Sequence, residues 1–203
     1  MEKNIFKTNI SNDELKNKFN SSTFFGKNFV GTNCNIVNST IENCQIDNNV
    51  KIFSSFLKDC IVKVDCQIGP FSHIRNKSII GKKCRIGNFV EIKNSIIGDE
   101  TKIAHLTYVG DAEIGKNCNI GCGVVFCNYN GKDKFKSNIG NRVFVGSNCN
   151  IVAPVEIEDE AYIACGTTIT KNVKKGDTII GRARQESIDF DNPYLYNFKD
   201  KKT

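Results

Sequence analysis

Features that mark several large protein classes are missing from this sequence of 203 residues. No stretch approaches the roughly 20 consecutive apolar residues that a membrane-spanning helix needs. The N-terminal string MEKNIFKTNISNDELKNKF is polar and lacks the apolar segment of a secretory signal. These absences predict a soluble, cytoplasmic protein.

Motifs that carry chemistry are also scarce. The two histidines, His73 and His105, are a poor supply for a zinc site built from three histidines. The sequence contains no P-loop, no GxGxxG fingerprint and no Ser-His-Asp signature. Its ten cysteines form no CxxC pair, so we expect neither a metal site nor a disulfide framework.

The net charge of +6 raises the possibility of a nucleic-acid ligand. The basic residues are spread along the chain, however, without an RNA-binding signature or a dense arginine stripe. We therefore expect no nucleic-acid or membrane partner, and we attribute the charge to a local site for a phosphorylated small molecule.

What the chain does contain is a repeat of about six residues, each unit opening with an aliphatic residue. The strings IGPFSH, IRNKSI, IGKKCR and IGNFVE run in succession from Ile68, and the repeat resumes from Ile139 as IGNRVF, VGSNCN and IVAPVE. A period of six is a signature of a parallel β-helix. The sequence therefore predicts an all-β fold with three six-residue faces, about 18 residues per coil and eight or nine coils.

The repeat divides the chain into three predicted parts. Residues 24–182 form the β-helix domain, which a capping segment at 1–23 precedes and a tail at 183–203 follows. Ser11 and Glu14 form a capping-box pattern, which predicts a short helix in the N-terminal segment. About seven extra residues predict a loop at 127–138, and loops on a rigid scaffold often carry function.

Half of the cysteines are predicted to lie in the interior of the β-helix. A cysteine stands four residues after a repeat opener at Cys34, Cys66, Cys84, Cys118 and Cys149. A position of this kind favours a small side chain, and a free cysteine packs as a small hydrophobic residue. We expect reduced thiols, as is usual in a reducing compartment.

Arg75 and Lys93 are separated by one full predicted coil, so they should stack on the same face. Two cations one strand spacing apart repel each other unless an anion lies between them, and a phosphate group suits that geometry. Tyr108 and Asn119 follow on later coils, and the lysine-bearing loop can fold over the same face. The spacing predicts an anion site without naming the substrate.

Longer strings carry a resemblance to a known family. IGPFSHIR, IGNFVEIKNS, AHLTYVGDAEIGKNCNIG, CNYNGKDKFK and VFVGSNCNIVAPVEI, followed by GRARQ, resemble the acetyltransferase domain of the bifunctional bacterial GlmU family. The resemblance covers about residues 25–187 and is densest from 68 to 187. It implies a left-handed parallel β-helix, a homotrimer with active sites between subunits, and acetyl transfer from acetyl-CoA to glucosamine 1-phosphate for UDP-N-acetylglucosamine synthesis. The family needs no metal for this step.

The resemblance also implies roles for individual residues. His105 would be the general base, because a histidine whose pKa is near the operating pH can take the proton of an attacking amine. The sugar phosphate would be held by Arg75, Lys93, Tyr108, Asn119 and Lys134. Acetyl-CoA would contact Asn128, Tyr129, Ser147, Arg182 and the backbone around Cys122 and Cys165.

The chain departs from the family at several positions. Cys122 and Cys165 stand where alanine is usual, and His73, Asn76 and Asn130 replace a frequent arginine, proline and aspartate. The uridylyltransferase domain of the family has no counterpart in these residues, so we expect a separate protein to perform that step. Two alternatives stay open: galactosamine 1-phosphate or another amino sugar as the substrate, and a non-catalytic β-helix scaffold.

Overall fold

The computed structural model describes residues 19–187, and in that range it contains β-strands and no α-helix. Within this range there is accordingly no helix long and apolar enough to cross a membrane. The helix predicted near Ser11 and residues 188–203 of the predicted tail lie outside the described residues.

The strands are short. In chain order they are β1 Thr23–Phe25, β2 Phe29–Val30, β3 Asn35–Val37, β4 Thr40–Glu42, β5 Gln45–Ile46, β6 Lys51–Phe53, β7 Phe56–Lys58, β8 Ile61–Val62, β9 Gln67–Ile68, β10 His73–Arg75, β11 Ile79–Ile80, β12 Arg85–Asn88, β13 Glu91–Lys93, β14 Ile96–Ile97, β15 Lys102–His105, β16 Tyr108–Gly110, β17 Ala112–Ile114, β18 Asn119–Ile120, β19 Val125–Cys127, β20 Ser137–Ile139, β21 Phe144–Val145, β22 Asn150–Val152, β23 Val155–Ile157, β24 Tyr162–Ile163, β25 Thr168–Ile169 and β26 Thr178–Ile179.

Every third strand belongs to the same sheet, so the chain winds into a prism with three faces. Face 1 holds nine strands: β1, β4, β7, β10, β13, β16, β19, β22 and β25. Face 2 holds eight: β2, β5, β8, β11, β14, β17, β20 and β23. Face 3 holds nine: β3, β6, β9, β12, β15, β18, β21, β24 and β26. The strands within each face are parallel. The parallel β-helix predicted from the repeat is therefore confirmed, and its left-handed sense continues to rest on the family resemblance.

Many coils are shorter than predicted. Asn33 bonds to Asn49, which takes the same corner position on the next coil, across an interval of 16 residues. Arg142 bonds to Glu160 across an interval of 18 residues, which is the predicted length. The length of a coil varies because the turns between faces differ in length. This variation decides which side chains become neighbours on successive coils.

One coil contains the predicted insertion. The N–H of Lys116 donates to Asn141 Oδ1 across 25 residues, whereas the N–H of Asn141 donates to Asp159 Oδ1 across 18 residues on the next coil. The predicted insertion of about seven residues is therefore confirmed. Its bounds are narrower than the predicted 127–138, because β19 continues to Cys127 and β20 begins at Ser137.

Face 1 contributes to the interior of the prism mainly through the middle residues of its three-residue strands. Ile74, Ile92 and Val109 follow one another on face 1, and each is fully buried. Side chains alternate along a strand, so the flanking residues, such as Arg75 and Lys93, point away from the core. Burying an aliphatic side chain of this size stabilises the fold by about 1.5–3 kcal/mol, which explains the regular aliphatic openers of the repeat.

The corners of the prism turn through residues with positive φ, which are frequently asparagine or aspartate. Asn33, Asn49 and Asp65 occupy one corner on three successive coils with φ of 57°, 59° and 62°. These residue types tolerate the left-handed conformation better than others with a side chain. Their side chains also bond to one another along the axis, with Nδ2–Oδ1 distances of 2.9 Å at both steps.

The residue after such a turn points into the prism and is small. The five cysteines predicted to be interior thiols form no disulfide and are at most 2% exposed: Cys34, Cys66, Cys84, Cys118 and Cys149. The Cys66 thiol donates to the carbonyl of Gly81 on the next coil at 2.9 Å. Burial raises the pKa of the Cys118 thiol, so it stays protonated. The prediction that these thiols are buried is confirmed.

Candidate functional site

Three cationic side chains converge where face 1 meets the corner between faces 1 and 2, here called the 1–2 corner. Arg75 ends β10 and Lys93 ends β13, and the two are register partners on neighbouring coils, as the spacing predicted. The inserted loop brings Lys134 against Lys93. The amine of Lys134, together with partial burial, lowers the pKa of Lys93 below its ordinary value, and Arg75 lowers it further. This cationic cluster favours an anion as its ligand.

Glu91 holds Arg75 in a defined orientation. Its Oε1 accepts hydrogen bonds from Arg75 Nε at 2.9 Å and from Nη2 at 2.6 Å. We expected an external anion to relieve the repulsion between Arg75 and Lys93, but the carboxylate of Glu91 already offsets part of it. Both partners are about one-third exposed, so the pair orients the guanidinium more than it stabilises the fold.

Tyr108 lies across Gly110 on the same face. Gly110 is the register partner of Lys93, and the ring of Tyr108 covers the space that a side chain there would fill. A Cβ placed on Gly110 would lie 2.6 Å from Tyr108 Cζ and 2.7 Å from Asn128 Nδ2, both too close for real contacts. The absence of a side chain at Gly110 therefore lets the Tyr108 phenol and the Asn128 amide meet beside Lys93.

Asp111 ties this region together along the 1–2 corner. Its Oδ1 accepts a hydrogen bond from Asn94 Nδ2 at 2.5 Å on the preceding coil, and its Oδ2 accepts one from Asn128 Nδ2 on the following coil. Asn128 is only 7% exposed. Asp111 also tends to raise the pKa of Lys93, which opposes the stronger effect of Lys134.

The inserted loop, residues 128–136, is a short hairpin. Tyr129 and Lys134 form an antiparallel bridge, and Asn130 Oδ1 accepts two backbone N–H groups in the turn at 2.9 and 2.7 Å. Lys136 forms an ion pair with Glu113 on face 2 at the base of the hairpin. These contacts explain how Lys134 reaches the cationic cluster, while the Tyr129 side chain stays 58% exposed.

His105 lies at the opposite edge of face 1, on the corner between faces 3 and 1, here called the 3–1 corner. It ends β15, its side chain is exposed, and its backbone carbonyl accepts a hydrogen bond from Thr107 Oγ1 at 2.7 Å. Because Ile103 pairs with Ile120 on the next coil, Cys122 takes the same position on its coil as His105 does.

The same position continues along the axis through the remaining coils. Cys122 O accepts the N–H of Asn148 at 2.8 Å, and Ser147 O accepts that of Gly166 at 2.8 Å. Arg182 Nη1 donates to the carbonyl of Cys165 at 3.0 Å. Four residues thus stand in one file along the 3–1 corner, namely His105, Cys122, Ser147 and Cys165, and the Arg182 side chain reaches the last of them. At about 4.8 Å per coil, the file from His105 to Cys165 is roughly 14 Å long.

Asn119 stands apart from the other residues expected to bind the sugar phosphate. It begins β18 on face 3, where its register partners are Lys102 and Phe144. The cationic cluster lies on face 1, which points in a different direction. Within one chain the structure therefore brings together Arg75, Lys93, Tyr108 and Lys134, but it does not bring Asn119 to them.

Asn128 and Tyr129, expected to contact acetyl-CoA, lie at the 1–2 corner, across face 1 from the file that begins at His105.

Three residues of the region around the cationic cluster were not among the predicted site residues: Glu91, Gly110 and Asp111. Asp111 is 17 residues from both Asn94 and Asn128, and the repeat units IKNSI and VGDAE, each one residue short, already place Asn94 and Asp111 at the same position. Nothing in the sequence indicated that Asp111 would contact Asn128.

An apolar ridge runs along the 3–1 corner before His105. The rings of Phe71 and Phe89 stack with their centroids 5.3 Å apart, and each side chain is 57% exposed. Leu106 continues the ridge on the next coil and is 58% exposed. Large apolar side chains exposed in a row are typical of a surface that contacts another protein.

Two protein-family models each match part of the chain. Residues 136–171 match the model "Bacterial transferase hexapeptide (six repeats)", and residues 56–130 match the model of the GMPPB C-terminal domain. The bifunctional protein GlmU of Clostridium acetobutylicum is 52% identical over 147 residues, 72% of this chain and 32% of the relative. That of Clostridium kluyveri is 47% identical over 169 residues, 83% of this chain and 36% of the relative. The chain thus spans about a third of the length of these curated relatives.

Solved structures share the fold at low sequence identity. LpxA of Bacteroides fragilis, a UDP-N-acetylglucosamine acyltransferase, matches with a TM-score of 0.57 and 14% identity over 100% of this chain and 78% of that one. PerB of Caulobacter crescentus, solved in complex with CoA and GDP-perosamine, matches with a TM-score of 0.52 and 20% identity over 58% of this chain and 55% of that one. These matches support the β-helix architecture. The resemblance to the GlmU proteins, stated from the sequence, is confirmed by the identities near 50%.

Proposed function

We propose that this chain, a hexapeptide-repeat relative of the bifunctional GlmU proteins, transfers an acetyl group from acetyl-CoA to the amine of glucosamine 1-phosphate. The convergence of Arg75, Lys93 and Lys134 carries this proposal, because a phosphate offsets the repulsion among these cations. The proposed product, N-acetylglucosamine 1-phosphate, then enters UDP-N-acetylglucosamine synthesis through a separate uridylyltransferase.

The phosphate site determines where the amine lies. In glucosamine 1-phosphate the phosphate is on C1 and the amine is on the adjacent carbon, C2. With the phosphate on the cationic cluster, the sugar ring lies across face 1 toward His105, and its amine comes between Asn128 on one side and His105 on the other. The Tyr108 phenol and the orientation that Glu91 imposes on Arg75 then limit how the sugar ring sits.

Acetyl-CoA is the proposed occupant of the file along the 3–1 corner. Arg182 at one end supplies a cation for the phosphates of CoA, and His105 marks the other end, where the thioester reacts. The residues between them, Cys122, Ser147 and Cys165, are small and leave a shallow track along the coils. The file's length of roughly 14 Å suits an extended pantetheine arm.

The proposed reaction is a direct acyl transfer. The neutral amine attacks the thioester carbonyl, and its lone pair forms the C–N bond. His105 takes the proton that the amine nitrogen loses, and backbone N–H groups stabilise the tetrahedral oxyanion. The C–S bond then breaks, and the CoA thiolate leaves. No metal takes part in the proposed step.

A complete site in this proposal needs more than one chain. Asn119 and the cationic cluster lie on different faces, so the Asn119 of a neighbouring subunit is the one that completes the sugar site. We propose a homotrimer, in which the apolar ridge of Phe71, Phe89 and Leu106 packs against a neighbouring copy. A groove between two prisms encloses a small ligand better than one flat face does.

The proposal also includes the division of the chain into segments and the cellular compartment of the reaction. Residues 24–182 form the transferase domain, flanked by segments 1–23 and 183–203. The ten cysteines, all within the described residues, form no disulfide, as is typical of proteins in a reducing compartment. We therefore propose that the reaction takes place in the cytoplasm.

A thiol-release assay tests the proposed function directly. The purified chain is incubated with acetyl-CoA and glucosamine 1-phosphate, free CoA is followed with a thiol reagent, and the acetylated sugar is identified by mass spectrometry. We expect both products in equal amounts. Galactosamine 1-phosphate in a parallel reaction reports the preference between the two epimers. A well-folded chain that releases no CoA with either sugar would instead favour the scaffold alternative.

A further inference from the structure

The hydrogen bonds of Asp111 determine which end of the Asn128 amide is available to a ligand. An ionised carboxylate accepts hydrogen bonds and donates none, so it faces the Nδ2 of a neighbouring amide. Asp111 accepts one such bond from Asn94 and another from Asn128. The Nδ2 of Asn128 is therefore committed to Asp111. Within residues 19–187, Asn128 Oδ1 accepts no hydrogen bond, and the amide that carries it lies beside the Tyr108 phenol.

We propose that Asp111 is a positioning residue, which fixes the Asn128 amide so that its Oδ1 accepts an N–H of the substrate amine. The inference rests on the proposed acetyl transfer, since the amine is the nucleophile of that reaction. It extends that function to a residue that does not touch the substrate itself.

The orientation of the amide matters because an amine has two kinds of hydrogen-bonding group. An acceptor such as Oδ1 binds one of its N–H groups and leaves the nitrogen lone pair free to attack the thioester. The opposite orientation would turn the Nδ2 of Asn128 toward the amine, where it would donate to that lone pair and oppose the attack. Asp111 thus affects the rate of the chemical step more than the binding of the sugar phosphate.

The surrounding structure allows the carboxylate to be changed without disturbing the fold. Asp111 has φ of 50°, a conformation that asparagine tolerates well, so Asp111→Asn keeps both shape and backbone. An asparagine at this position has one acceptor and one donor, and it no longer dictates how Asn128 is oriented. Asn94 lies on the other side of Asp111, is exposed and has φ of 48°. Asn94→Gly therefore removes the other hydrogen bond to Asp111 without backbone strain.

The test compares steady-state kinetics of the wild type with Asp111→Asn, Asn94→Gly, Asn128→Ala and the double variant Asp111→Asn/Asn128→Ala. We expect Asp111→Asn to lower kcat about tenfold to a hundredfold while the KM for glucosamine 1-phosphate changes less than about threefold. Asn94→Gly should stay within about threefold of the wild type in both constants. The double variant should be no slower than Asn128→Ala, because residues acting through one another are not additive.

Thermal unfolding of each variant, measured on the full chain, checks that a loss of rate is not a loss of fold. The inference is overturned if folded Asp111→Asn keeps a kcat within about threefold of the wild type, or if Asn94→Gly is as slow as Asp111→Asn. Additive losses in the double variant would also overturn it. A wild type without any acetyl transfer would overturn the proposed function and this inference with it, whereas an active wild type with an equally active Asp111→Asn overturns the inference alone.

Discussion

Replacement of Lys93 by methionine is the most direct probe of the cationic cluster. Methionine keeps most of the length and apolar contact of the lysine side chain but carries no charge. If the cluster holds the phosphate, Lys93→Met should raise the KM for glucosamine 1-phosphate and leave the KM for acetyl-CoA nearly unchanged. Lys132→Met, at an exposed lysine of the same loop that lies outside the cationic cluster, is the matched control.

The size of the effect follows from the geometry of the cluster. A hydrogen bond to a charged group contributes about 1.5–3 kcal/mol, which corresponds to roughly 10- to 150-fold in affinity. The loss of Lys93 also relieves its repulsion with Lys134, which then binds the phosphate without competition. We therefore expect the lower part of the range, about 10- to 30-fold in KM.

The pH dependence gives an independent signature. Lys134 lowers the pKa of Lys93, and only protonated Lys93 attracts the phosphate. Its contribution to binding is thus complete below this lowered pKa and is lost as the pH rises through it. In the wild type, the KM for the sugar phosphate should therefore begin to rise at a lower pH than it would if Lys93 had the pKa of an ordinary lysine. Lys93→Met should not show this rise.

The assay is the thiol-release reaction with one substrate varied at a time, at several pH values. The reasoning is refuted if Lys93→Met and Lys132→Met change the KM for glucosamine 1-phosphate equally. It is also refuted if Lys93→Met raises the KM for acetyl-CoA by as much as that for the sugar phosphate, because the cluster would then not be specific for the sugar phosphate.

Two further predictions concern other residues of the proposed site, and two test its assembly. His105→Ala should lower the rate about 10²- to 10⁴-fold at neutral pH with an unchanged unfolding temperature, and a folded variant that loses less than about threefold would exclude His105 as the base. Gly110→Ala should lower kcat/KM about tenfold or more, because its Cβ displaces Tyr108, and an unaffected rate would show that the contact is irrelevant. Phe89→Glu should shift the assembly from trimer to monomer in light scattering and abolish activity; an active monomer would contradict the shared site. Asn119→Ala and Lys93→Met chains, each impaired alone, should regain activity when refolded together, because the two residues lie on different faces and some mixed sites receive both native residues. Mixtures no more active than the separate variants would indicate that each site is built within one chain.

The repeat was predictable because its causes are local. Strand alternation sends every aliphatic opener into the core, as Ile74 and Ile92 illustrate, and the left-handed turns favour asparagine and aspartate at the corners. The interior positions of the cysteines follow from the same local rule. The stacking of Arg75 on Lys93 was predictable because their coil happens to have the assumed length.

The sequence by itself determined the β-helix, its buried residues, the insertion and the family to which its site residues point. Only the tertiary structure decided which of those residues meet. Coils of unequal length shift the register, so the contact between Asp111 and Asn128 is hidden from a fixed period. Asn119 is separated from the cationic cluster because the three strands of each coil face three directions. Neighbours across coils depend on the summed lengths of all intervening turns, and that sum is a property of the folded chain.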